Sequence, residues 1–119
     1  MEDDEVVFLY HLLSLARFFH NRQKYKVALH YLRKAEKKAI KVNHYEILDL
    51  IYSEMIKLSH EIVFINPEDY ILKRKGNRER LQALREIDDI LAAVIYRVKV
   101  SQNFSPSKNP LFDLLEKFR

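Results

Sequence analysis

Apolar side chains return every third or fourth position along most of this chain, the period of a helix with one buried face. Over residues 4–21 the stripe is Leu9, Leu12, Ala16 and Phe19, widened by Leu13 and Leu15. The acids before it suit the positive end of a helix dipole. Phase is lost at Asn21-Arg22-Gln23, a polar gap able to hold a tight turn between helices. It resumes over 24–41 with Val27, Ala28, Tyr31, Leu32, Ala35 and Ala39, whose alanines allow close approach of another helix. Val42-Asn43-His44 is the next weak point, with Asn43 as a cap for a third helix. That helix is predicted over 44–65 from Ile47, Ile51, Met55, Leu58, Ile62 and Ile65.

"NPED" at 66–69 is a helix start: Asn66 caps, Pro67 takes the first helical position, and two acids follow. Gly76 predicts a stop in the left-handed conformation, with Asn77 capping a further helix from Arg78 to about Ser101. A helix running straight through Gly76 would cost only about 1 kcal/mol, so residues 66–101 can be one helix or two. Leu81, Leu84, Asp88, Leu91, Ile95 and Val98 form a heptad-like seam in that segment, with Ile87, Ile90 and Val94 beside it. On the seam, Asp88 needs a partner such as Arg85 or a residue of a neighbouring helix. "SQNFSPSKNP" reads as a loop, and "LFDLLEKFR" as a short amphipathic helix that stops without a cap, as in a fragment of a longer protein. The expected division is a helical domain over 1–103, then linker and terminal helix over 104–119.

Composition narrows the class. One Gly and three Pro in 119 residues leave little turn chemistry for a β fold. The expectation is all-α: antiparallel helical hairpins, as a solenoid fragment or a small helical bundle. The absence of Cys removes disulfides, thiolate metal sites and a cysteine nucleophile, and fits a reducing, cytoplasmic setting. No apolar run approaches the ~18 residues of a spanning helix, so no membrane partner is expected.

The net charge of +4 is mild, but the charge comes in blocks. Arg17 to Lys41 carry nine basic residues against Glu36 alone. Val42 to Leu72 are acidic on balance, and "KRKGNRER" at 73–80 is basic again. Lys34, Lys37, Lys38, Lys41, Lys73, Arg74 and Lys75 are thus a candidate basic patch, if the second and fourth helices are neighbours. The plainer reading is solvated faces with complementary neighbours.

Catalytic chemistry is hard to find. No two of His11, His20, His30, His44 and His60 stand at i+3 or i+4, and "HEIVF" has Phe64 where a zinc-protease motif needs its second His. Glu86, Asp88 and Asp89 point to different sides of a helix. A single Gly makes no phosphate-cradling loop. No catalytic residue, metal or cofactor is expected. Among the seven Tyr, Tyr31, Tyr52 and Tyr96 fall near apolar stripes and are expected at the core edge, and Tyr25 is expected to pack a hairpin rather than stack a base.

Arg17 to Ala39 can be one long basic helix or two helices folded back on each other. Leu12, Leu15, Ala16, Phe19, Tyr25, Ala28, Leu32 and Ala35 follow, across about 9–42, the order of small and bulky residues of a tetratricopeptide repeat, which this half of the chain resembles. It departs from that family in carrying Leu12 for the usual Trp, Ala16 for the commoner Gly and Ile40 where Pro usually ends the unit, and residues 43–101 do not repeat the pattern cleanly. The stretch "INPEDY…KRKGNRERLQALREIDDILAAVIYRVKVSQNF" is similar to segments of uncharacterised bacterial helical-repeat proteins of Bacteroidetes. The resemblance implies a non-enzymatic interaction or scaffold module, a piece of a larger helical-repeat protein. Its groove would be lined by Tyr10, Leu13, Arg17, His20 and Asn21 and would suit an acidic or amphipathic protein segment. The alternatives are nucleic-acid binding through the basic faces and a purely structural homodimeric bundle, for which the last long helix supplies apolar surface.

Overall fold

The computed structural model describes residues 2–104 and is all-α, with no strand among the described residues. Four helices follow in order: α1 Glu2–Asn21, α2 Tyr25–Lys41, α3 Tyr45–Leu58 and α4 Pro67–Phe104. The described chain divides into two compact units, the boundary falling within α4 after Leu81. The linker and terminal helix expected beyond residue 104 lie outside the described residues.

Unit 1 is a three-helix core with the first turns of α4 laid beside it. The basic stretch from Arg17 is two helices: α1 and α2 pack closely as a hairpin, and α3 packs on both. Both turns have one shape. After α1, the Lys24 N–H donates to the Phe19 carbonyl (2.8 Å) and the Gln23 N–H to that of His20 (3.0 Å). After α2, the His44 N–H donates to Ala39 (2.9 Å) and the Asn43 N–H to Ile40 (3.2 Å). Each is a Schellman closure, which satisfies the last carbonyls of the helix but needs a left-handed residue. Gln23 (φ 62°) and Asn43 (φ 56°) take that conformation. Asn43 therefore ends α2 instead of starting α3. His44 is the cap, its Nδ1 accepting the Ile47 N–H at 3.1 Å.

The predicted stripes form the core. Leu9, Leu12, Leu13 and Ala16 of α1 meet Ala28, Leu29, Leu32, Ala35 and Ala39 of α2 and Ile47, Ile51, Met55 and Leu58 of α3. Ala28, Ala35 and Ala39 have no exposed surface, as residues at close helix crossings should. Helix α3 ends at Leu58, seven residues before the sequence prediction. Pro67 pushes Asn66 out of helical geometry, so the chain must turn before it. Residues 59–66 do this through short-range bonds such as Glu61 N–H to the Leu58 carbonyl (2.9 Å). Ile62 and Ile65 still reach the core, while Val63 and Phe64 project into solvent.

Helix α4 starts as read, with the Glu68 N–H donating to Asn66 Oδ1 at 2.9 Å, but it does not stop at Gly76. Gly76 has no positive φ. Asn77 does not cap a new helix. It is buried, and its Nδ2 donates to the Tyr45 carbonyl at 2.7 Å. Arg74 to Ser53 (3.2 Å) and Arg78 to Asp49 (2.6 Å) add further ties to α3. Polar side chains, rather than an apolar stripe, hold this part of α4 in place.

In unit 2, α4 exposes Leu84, Ile87, Ile90, Leu91, Ile95 and Tyr96, while Val98 is buried. Tyr96 is therefore not a core-edge residue. Asp88 is exposed as well, so water solvates it and no partner is required.

Candidate interaction surfaces

Helix α1 has one face in the core and another in solvent, and the expected groove residues divide between them. Tyr10 is exposed, its ring edge-on to His44 with centroids 6.4 Å apart. Asn21 is exposed, and His20 is half-buried, edge-on to Tyr25 at 5.6 Å. Leu13 is 1% exposed and belongs to the core. It carries no groove, because position 13 looks into the seam where α1 meets its neighbours. Arg17 is spoken for. Its Nε donates to Glu54 Oε1 at 3.0 Å, and Lys57 Nζ lies 3.7 Å from the same oxygen. Glu54 is buried, so this pair is part of the fold.

Sequence reasoning passed over Val7 and Phe18, which stand on the same outward face, 67% and 47% exposed. Arg22 places its guanidinium 4.4 Å from the Phe18 ring centroid. Phe18 was legible: one position from Phe19, it must point about 100° away from the stripe. Val7, Tyr10, Ser14 and Phe18 then form one solvent-facing row.

The basic patch does not stay together. Lys38 turns to α1 and donates to Glu5 Oε1 at 3.1 Å. Arg74 turns to α3, where it donates to Ser53. Lys73 lies 3.6 Å from Glu36. Lys34 stands over the Phe8 ring at 5.8 Å. Lys37, Lys41 and Lys75 are exposed. Helix α2 and the first part of α4 are neighbours, and Lys34, Lys37 and Lys73 border the hollows beside and between them. The first, of about 350 Å³, has Leu48, Tyr52 and Gly76 in its walls, and the second, of about 490 Å³, is closed by Tyr70. Glu36 lines both. The Tyr52 hydroxyl is pushed up to about 12, first by burial and then by the charge of Glu36 and a hydrogen bond with it.

Among the described residues, no three His, Asp or Glu side chains gather as metal ligands, and no helix is long and apolar enough to cross a membrane. Comparison with family models, curated proteins and solved structures finds no match to this chain.

Proposed function

We propose that this chain is a non-enzymatic protein-interaction module of the helical-hairpin kind, part of a larger scaffold, and that it binds through the outward face of α1. The observation that carries this is the row of exposed Val7, Tyr10 and Phe18, three large apolar side chains on one face of a helix whose other face is core. Aromatic side chains on a rigid helix make good anchors, because they bring large contact area at low entropic cost. Because Glu54 neutralises Arg17, the partner meets a mainly apolar ridge, suited to an amphipathic helix. The resemblance to tetratricopeptide repeats points the same way, since the first helix of each hairpin is the binding helix there.

Nucleic-acid binding through the basic faces is the alternative. It is weakened by the acids within the fold that pair with Lys38 and Lys73. The two readings separate in a titration followed by NMR with an amphipathic helical peptide and with a single-stranded oligonucleotide. The module reading expects the peptide to shift the resonances of Val7, Tyr10 and Phe18, with little dependence on salt. Shifts from the oligonucleotide alone, on the lysines and steeply lost as salt rises, would refute it.

A further inference from the structure

The cleft between α2 and the start of α4 has a different chemistry from the α1 face. Across it Glu36 of α2 lies 3.6 Å from Lys73 of α4, and Asn43 and Arg80 are also in its walls. Ile40 and Leu72 stand at its lips, 53% and 67% exposed. Lys73 and Arg80 line it from α4, while Arg33, Lys34 and Lys37 line the second hollow on α2, which shares Glu36 with it. The one acid among these lining residues, Glu36, is already held by Lys73 and Tyr52. Across the two hollows positive charge therefore remains in excess, with Arg80 beside the apolar floor and Arg33, Lys34 and Lys37 beyond Glu36.

Gly76 is in the wall of this cleft. Glycine weakens a helix interior, so a helix keeps one where backbone conformation or close packing demands it. Neither applies among the described residues: Gly76 has no positive φ, and a Cβ there would meet nothing within 4 Å. The α4 backbone at Gly76 is thus open to the close approach of another chain.

We infer that the cleft between α2 and α4 is a second docking site, and that it takes an acidic peptide segment carrying an apolar anchor. The anchor rests on Leu48 and Tyr52 between Ile40 and Leu72, and flanking carboxylates meet Arg33, Lys37 and Arg80. The strand backbone passes Gly76, where a side chain would obstruct it. Nucleic acid suits the site less well, because the apolar floor offers an anchor side chain a seat but offers phosphates nothing. This goes beyond the α1 face, sharing none of its residues.

The test uses a fluorescein-labelled peptide rich in Asp and Glu around a central Leu-Phe pair. One control peptide has that pair replaced by Ser, and another probe is an oligonucleotide of equal charge. Binding is measured by anisotropy for the full chain, for Gly76→Leu, for Arg33→Glu/Lys37→Glu, and for Tyr10→Ala/Phe18→Ala, with a thermal melt of each. The site predicts saturable binding that falls tenfold or more in the first two variants, at unchanged or higher melting temperature for Gly76→Leu. It predicts weaker binding of the Ser control and no change in the α1 variant. No saturable binding up to millimolar peptide overturns it, as does unchanged affinity in Gly76→Leu. Equal or tighter binding of the oligonucleotide gives the cleft to nucleic acid and overturns it too. Loss in the Tyr10→Ala/Phe18→Ala variant alone assigns the peptide to the α1 face, leaving the proposed function standing while this inference falls.

Discussion

Replacing Gly76 with Ala separates the continuous α4 from the two-helix alternative, because the two arrangements predict opposite signs. In the structure the residue is exposed, has no positive φ and leaves open space where a Cβ would stand. No overpacking offsets the gain, so the full difference in helix propensity applies, about 0.8–1.0 kcal/mol in favour of Ala. With a urea slope of about 1–3 kcal/mol per molar, the midpoint should rise by roughly 0.3–1 M. Had Gly76 ended one helix in the left-handed region, Ala would instead cost about 1–2 kcal/mol and the midpoint would fall. Gly76→Pro supplies the reverse control. It removes a helical N–H and crowds the preceding turn, at about 3 kcal/mol or more. Far-UV circular dichroism against urea, with the wild-type chain alongside, reads all three. A lowered midpoint for Gly76→Ala, or an unchanged one for Gly76→Pro, refutes the continuous helix.

Four other perturbations test named contacts. Ala28→Leu and Ala35→Leu each put bulk where no surface is exposed and should lower stability by about 1–3 kcal/mol; unchanged urea midpoints would place these alanines outside the hairpin interface. Gln23→Gly relieves the left-handed strain at φ 62° and should stabilise by roughly 0.5–1 kcal/mol, provided the Schellman turn is present; a loss of stability in a thermal melt would count against that turn. Arg17→Ala leaves the buried Glu54 with Lys57 alone, 3.7 Å away, and should cost about 1 kcal/mol of folding stability, a moderate figure because Arg17 itself is half exposed. The folded state holds the Tyr52 phenol neutral up to about 12 from a usual 10.0, so its contribution to stability is present below pH 10 and is lost as pH rises from 10 towards 12. Absorbance at 295 nm should show a late-titrating component that disappears in Tyr52→Phe.

Much of the fold can be read from the order of residues, because a helix buries a fixed period of positions. The stripe Leu9-Leu12-Ala16, the alanines of α2 and the series Ile47-Ile51-Met55-Leu58 need only that period to be assigned to a core. The start of α4 is equally local, since Asn66 and Pro67 act on neighbouring backbone. Where two local signals compete, the sequence does not rank them. Gly76 reads as a stop and Asn77 as a cap, but Asn77 bonds to the Tyr45 carbonyl 32 residues away, and that bond belongs to a continuous α4. Asn43 has the chemistry of a helix start, yet the α2 closure uses it for its left-handed backbone and leaves the cap to His44.

The surfaces depend most on the tertiary structure. Charge along a chain does not say which cations find acids across a helix interface, and Arg17, Lys38 and Lys73 each find one. Periodicity places Leu13 near the edge of a stripe, but only packing decides whether that edge is seam or solvent. Of the two candidate surfaces, the outward row on α1 comes from helix period alone. The cleft beside Gly76 required α2 and α4 to be brought together by contacts between residues 21 to 37 positions apart, and no local rule carries that information.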